Sequence, residues 1–319
     1  NIVYSDATKG WLPLEDDVTA LEPVAPPTQK AIFGYGYNAS GGGRLSMSNL
    51  VNSSGVVAAD VTGVGTARMT IAATSYGGDK AIFGYGDSGS ATNLSNLVSS
   101  SGVIASDTTG VGTARYAPAA ASYDGDKGIF GYGDTGGDSY VSLTNLVNNS
   151  GVIATDTTGV GTARRYLAAT GYGSSGQAVF AYGSTGSRLS MKNLVSNSGV
   201  VASDATGVGS ARNNLAAVKY GTDKAIFGYG STGSITGVTN LVSNVGVIAS
   251  DVSGVGTARQ YLAAASYGGD KAIFGYGNTA SGAVSMTNLV SNIGVVGADV
   301  TGVGSARETL GAAGYSTSA

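Results

Sequence analysis

Short apolar runs recur along this chain, separated by glycine-rich turns. In residues 80–86 (K-A-I-F-G-Y-G), strand alternation sets Ala81, Phe83 and Tyr85 on one side and Ile82 and Gly84 on the other. Both sides are apolar or small, as expected of a sheet packed on both faces. Upstream, residues 71–76 form a run of small and apolar residues. Gly77-Gly78-Asp79 then predicts a tight hairpin into the next strand, because glycine reaches positive φ without strain. Downstream, residues 93–99 (N-L-S-N-L-V-S) predict a third strand. Ser101-Gly102 turns the chain into a fourth, residues 103–107, and Gly110 to Arg115 crosses to the next unit.

This unit occurs six times. Its phenylalanine recurs at Phe33, Phe83, Phe130, Phe180, Phe227 and Phe274, at spacings of 50, 47, 50, 47 and 47, and these are all the phenylalanines in the chain. A period of this length with four short strands in it is that of a propeller blade rather than of a β-helix rung or a leucine-rich repeat. The fold class predicted is all-β, a six-bladed β-propeller of four-stranded blades over residues 30–319. The repeat phase also predicts how the ring closes. Lys30 begins on a second-strand motif, while residues 308–315 form a first-strand segment with no second strand after it. Pairing of the N- and C-terminal segments in one blade would leave no exposed sheet edge.

Composition agrees with short strands and tight turns: 53 glycines, 5 prolines and abundant β-branched residues. A hydrophobic fraction of 42% argues against disorder. With 12% charged residues and a net charge of −3, the chain has no basic surface for nucleic acid and no polybasic membrane anchor, and no apolar run reaches the ~18 residues of a membrane span. Histidine and cysteine are both absent, which removes disulfides, thiolate chemistry, the commoner zinc sites and the usual general base. Glutamate occurs only at Glu15, Glu22 and Glu308, and no aspartate pair stands out as a glycosidase couple. Asp124-Gly125-Asp126 and Asp134 with Asp138 offer oxygen ligands, but too few for a recognisable calcium loop. The reading is therefore non-enzymatic, with no cofactor and no metal.

Residues 258–277 (A-R-Q-Y-L-A-A-A-S-Y-G-G-D-K-A-I-F-G-Y-G) show the repeat at its clearest. In its arginine, small-residue strand, hairpin and strand ending in glycines, the segment resembles the kelch repeat, and the resemblance runs from Lys30 onward. It departs from the kelch pattern in having G-Y-G where a glycine pair is usual and no tryptophan near the end of each repeat. The close agreement among the copies is also similar to repeat arrays of bacteriophage virion appendage proteins, such as tail fibres, head fibres and decorations. The segment Y-S-D-A-T-K-G-W, Tyr4 to Trp11, resembles short pieces that join modules in them. This resemblance implies a virion-surface or extracellular location, with other virion or surface-assembly proteins as partners.

Three sets of repeated residues are candidates for function. Each repeat has an aspartate and, eight positions later, an arginine: Asp60 and Arg68, Asp107 and Arg115, Asp156 and Arg164, Asp204 and Arg212, Asp251 and Arg259, Asp299 and Arg307. Sixfold repetition favours a structural role at the crossing between blades over a ring of charge around a channel. The same applies to Asn49, Asn96, Asn145, Asn193, Asn240 and Asn288. The tyrosines of G-Y-G, Tyr35, Tyr85, Tyr132, Tyr182, Tyr229 and Tyr276, are candidates for ligand binding. At a rim they would stack on sugar rings; in the seams between blades they would only fill space. The segments after G-Y-G (37–44, 87–92, 134–140, 184–188, 231–237 and 278–283) differ most between copies, and loops on a rigid scaffold usually carry recognition.

Residues 1–29 differ from the rest. They hold the sole tryptophan, an acidic cluster at Glu15, Asp16 and Asp17, and Pro23, Pro26 and Pro27. Such a segment is expected to act as a stiff attachment arm or linker, anchored through Trp11 and Leu12. The function expected is a non-catalytic structural or adhesive module of a virion appendage or decoration. Its arm docks to the assembly and its variable loops face outward, toward a cell-surface glycan. The alternative is a secreted bacterial carbohydrate-binding propeller.

Overall fold

The computed structural model describes residues 2–6, 10–13 and 28–318. The described residues contain no helix, and therefore none long and apolar enough to cross a membrane. Strands β1 (Ile2–Asp6) and β2 (Gly10–Pro13) pair antiparallel, setting Trp11 opposite Tyr4 and Leu12 opposite Val3. The acidic cluster and the prolines of the expected arm lie outside the described residues, as do the side chains of Trp11 and Leu12.

The rest of the chain forms six three-stranded antiparallel sheets. In chain order their strands begin with β3 (Lys30–Asn38) and β4 (Gly43–Val51). There follow β5 (Ala72–Tyr76), β6 (Lys80–Gly84) and β7 (Ser95–Val98), then β8 (Ala119–Tyr123), β9 (Lys127–Gly131) and β10 (Thr144–Val147). Next come β11 (Ala168–Tyr172), β12 (Gln177–Ala181) and β13 (Lys192–Val195), then β14 (Ala216–Tyr220), β15 (Lys224–Gly228) and β16 (Thr239–Val242). The last unit has β17 (Ala263–Tyr267), β18 (Lys271–Gly275) and β21 (Thr287–Val290), with a small ribbon of β19 (Asn278–Thr279) and β20 (Gly282–Ala283) between them. Strand β22 (Gly311–Tyr315) pairs with β3 in the register Tyr315↔Lys30 to Gly311↔Gly34, so one sheet has strands from both ends of the described chain. The first strands adjoin in sequence, β5 with β8, β8 with β11, β11 with β14, β14 with β17 and β17 with β22, and β22 in turn lies against β5. The described architecture is thus all-β and compatible with a propeller-like fold.

Two predicted details are corrected. Each sheet has three regular strands rather than four. The predicted fourth strand contributes only isolated bridges, such as Val98↔Ile104 and Ser95↔Thr108. The register slips between them, where the Asn96 side chain donates to the Ala105 carbonyl (3.0 Å), which is thereby bonded to a side chain, and to the Asp107 carboxylate (2.9 Å). The second correction concerns Tyr85. The strand ends at Gly84, and Tyr85 adopts φ +63°, which breaks the alternation. Tyr85 therefore packs on the Ile82 side against Phe130 of the next sheet, while Ala81 and Phe83 face Tyr35 of the preceding one.

The seam between sheets explains the glycine before Tyr35, Tyr85, Tyr132, Tyr229 and Tyr276. A Cβ on Gly84 would lie 2.8 Å from the Phe130 ring, and one on Gly275 would lie 2.7 Å from Phe33. Phenylalanine of one sheet thus packs on the bare backbone of its neighbour, including from the last unit to the first. Ala181 takes this position in one sheet and is fully buried there beside Phe227.

Candidate functional site

The tyrosines of G-Y-G are in the seams. Tyr35, Tyr85, Tyr132, Tyr182, Tyr229 and Tyr276 are all 0% exposed, and each hydroxyl donates to a valine carbonyl of its own crossing, as Tyr132 does to Val160 (3.1 Å). Each ring packs edge-on or tilted on the next phenylalanine at 5.1–5.3 Å, and Tyr276 packs on Phe33. Burial pushes the Tyr35 and Tyr276 phenols up to about 12. These rings present no surface to a sugar, so the rim site expected from the sequence is corrected on burial. The first-strand tyrosines are also buried; the Tyr76 ring, for example, abuts Gly151 of the next unit.

The six arginines are fully buried, each with its guanidinium 4.0–4.8 Å above a seam tyrosine. Arg164 and Arg307 make equivalent bonds: Arg164 donates to the carbonyls of Tyr182 (2.8 Å) and Thr162 (3.1 Å) and to Asn193 Oδ1 (2.8 Å). Its carboxylate neighbour is Asp204 at 4.0 Å, in the next unit, and not Asp156, eight positions before it. The same offset pairs Arg212 with Asp251, Arg259 with Asp299, and Arg307 with Asp60; the charges of Arg68 and Arg115 act on Asp107 and Asp156. Asp107 also accepts from the Thr66 amide (2.9 Å) and hydroxyl (2.6 Å) and from Asn96. Each Arg, Asn and Asp set therefore ties a crossing to the following sheet.

These aspartates link stability to pH. Partial burial raises the Asp107 pKa, but hydrogen bonds from Thr66 and Asn96 and the charge of Arg68 outweigh it and hold the carboxyl below its ordinary value. Asp60, Asp156, Asp204, Asp251 and Asp299 shift the same way. A depressed folded pKa stabilises above the unfolded value of about 3.9 and is lost as pH falls through the folded value. The urea midpoint is expected to be flat from about pH 7 to 5 and to fall steeply below about 4. An Asp107→Asn variant should be less stable at neutral pH and lose less on acidification. Parallel curves for the two proteins would refute the linkage.

The units differ at one end of the sheets. The second residue after each arginine (Thr70, Ala117, Tyr166, Asn214, Tyr261, Thr309) has positive φ, between 49° and 57°. Their backbones bond in a cycle at 2.8–3.3 Å: Thr70 N–H to Thr309 O, Thr309 to Tyr261, Tyr261 to Asn214, Asn214 to Tyr166, Tyr166 to Ala117, and Ala117 to Thr70. The residue between each arginine and this cycle bridges to the start of a variable segment: Met69 to Asp87, Tyr116 to Asp134, Arg165 to Ser184, Asn213 to Ser231, Gln260 to Asn278, and Glu308 to Tyr37. The divergent loops and the divergent cycle positions therefore meet on one face.

That face has an asymmetric pocket, lined by the cycle residues and by the apolar residues that follow them, from Ile71 round to Leu310. Tyr166 and Tyr261 meet edge to face at 6.0 Å on one side, while Thr70, Ala117 and Thr309 keep the other side small. Burial and the nearby Tyr261 push the Tyr166 phenol up to about 12, and burial with the Glu308 charge raises Tyr261. Beside them Arg165 pairs with buried Asp134 (2.7 Å) and exposed Asp138 (2.8 Å), and Tyr116 donates to Asp134 (3.0 Å). Burial raises the Glu308 carboxyl, against a hydrogen bond from Asn278.

No protein-family model and no curated protein matches this chain. The pocket residues escape the sequence reading because they are single positions inside the best-preserved stretch of the repeat. One signal marks them: the two residues after each arginine read Met-Thr, Tyr-Ala, Arg-Tyr, Asn-Asn, Gln-Tyr and Glu-Thr between near-identical flanks.

Proposed function

We propose that the six sheets are the blades of a closed propeller of kelch-like type. We further propose that the chain is a non-catalytic recognition module of a larger extracellular assembly, a virion appendage or decoration, attached through residues 1–29 with its variable face outward. The observation that carries this reading is the division of the repeat. The phenylalanine, tyrosine, arginine and asparagine that the copies share go into the seams, and the segments that differ most in length and charge start beside one hydrogen-bonded cycle. A scaffold that repeats its joints and varies one face is built for recognition. The cycle of first-strand neighbours and the pairing of β22 with β3 support closure. On this reading the hairpin of β1 and β2 belongs to the attachment arm.

Deletion of residues 1–29 tests the docking. The shortened chain is expected to keep its circular dichroism spectrum and to be absent from purified particles of the native source, and its retention on them would overturn the arm's role. The second reading, a secreted sugar-binding propeller, is favoured by the tyrosine pair at the pocket. It predicts that the native chain sediments free of any particle.

A further inference from the structure

We propose that the pocket above the backbone cycle binds a terminal neutral sugar residue, with Tyr166 and Tyr261 as its wall, Asn214 as an acceptor in its lining and Glu308 as an acceptor beside Tyr261. This rests on the recognition-module reading and names the ligand of that face.

All six cycle positions lie in the left-handed region, where glycine is free of strain and a β-branched residue such as Thr70 or Thr309 is a genuine outlier. A chain with 53 glycines places none at these six positions. Side chains are thus kept there against backbone strain, and the backbone cycle alone does not require them.

Asn214 Oδ1, in the pocket lining, and Glu308 Oε2, whose charge acts on the Tyr261 phenol, are buried acceptors that no donor among the described residues reaches. Asn214 is only 9% exposed, lines the pocket, and uses its amide N–H on Gln260 (3.2 Å). The pocket hydroxyls of Thr70 and Thr309 are already spent on the neighbouring carbonyls of Met69 and Glu308. The pocket lining and the side of its tyrosine wall therefore hold a surplus of acceptors, and unpaired buried acceptors call for a ligand that donates hydrogen bonds.

Glu308 and the acceptor surplus disfavour an anion. The charges of Arg165 and Arg188 both reach the Tyr261 phenol, which disfavours an ammonium ion. A neutral polyol fits both constraints. A sugar also offers an apolar ring face, which suits an amphipathic tyrosine wall. The cavity, about 70 Å³, accepts the edge of one ring and leaves the rest of a glycan outside. Binding is therefore end-on, to a terminal residue.

The test uses the full chain and the methyl glycosides of glucose, galactose, mannose and N-acetylglucosamine, followed by NMR titration. Saturable binding of at least one is expected, with shifts in the Tyr166 and Tyr261 ring resonances. Asn214→Ala and the isosteric Glu308→Gln should each weaken it by about tenfold, the effect of one lost buried hydrogen bond. Tyr85→Phe, in a seam, should leave it unchanged. Thermal melts report whether each variant folds, and Glu308→Gln keeps the test decisive if Asn214→Ala does not. Binding of none of the four, binding indifferent to both acceptor variants, or saturable binding of propylammonium in their place would each overturn the proposal. Because particle attachment is read separately through residues 1–29, a particle-bound chain that binds no sugar refutes the pocket alone. A sugar-binding chain found free of particles refutes the virion reading alone.

Discussion

A chain ended at Arg307 is expected to lose its native fold altogether. The missing segment contains β22, the first strand of the sheet whose other strands, β3 and β4, come from the opposite end of the chain. Without it, the five backbone pairs between Tyr315↔Lys30 and Gly311↔Gly34 disappear, and β3 becomes an open edge. The packing of Leu310 and Ala312 against the last unit is lost, as is that of Ala313 and Tyr315 against the next. Thr309 also leaves the backbone cycle, which breaks it at two bonds. A deletion touching one sheet and both its seams is expected to exceed the ~5–15 kcal/mol that holds an ordinary domain together. Size-exclusion chromatography should show aggregated or expanded material, and near-UV dichroism from the buried tyrosines should vanish. A monomer with a native spectrum would show that the two ends are dispensable to one another.

Arg164→Ala is expected to cost about 3–5 kcal/mol, the range for removing one partner from a buried charged network. The guanidinium is fully buried, lies 4.3 Å above the Tyr132 ring and satisfies Tyr182 O, Thr162 O and Asn193 Oδ1. Alanine leaves the Tyr182 carbonyl and the Asn193 oxygen unpaired beside a cavity. Arg164→Lys should restore little, because an ammonium cannot make three divergent planar bonds and stack as well. Urea denaturation measures both variants, and a loss below about 1 kcal/mol for either would show that the seam does not depend on this group.

The near-identity of the six copies made the strands legible. Alternation within K-A-I-F-G and N-L-V is a local property, the Gly-Gly-Asp hairpins are local, and the pairing of residues 308–315 with Lys30 follows from repeat phase alone. The fourth strand was not legible. Residues 103–107 form no regular ladder where Asn96 binds both Ala105 and Asp107, and their sequence pattern holds no trace of those bonds. The face that Tyr85 occupies depends on a single φ angle imposed by packing against Phe130.

The candidate site divides along the same line. By itself, the sequence determined that this is a six-unit β protein with its divergence confined to a few short segments, because strand period and turn chemistry act over a handful of residues. Only the tertiary structure decided that the G-Y-G tyrosines are sealed in seams, and that each arginine meets the aspartate of the following unit rather than its own. It alone brought Tyr166, Asn214 and Tyr261 together around one backbone cycle. The reason is distance: these partners lie some forty to fifty residues or more apart along the chain, and their meeting is set by how one sheet packs on the next, which no local pattern encodes.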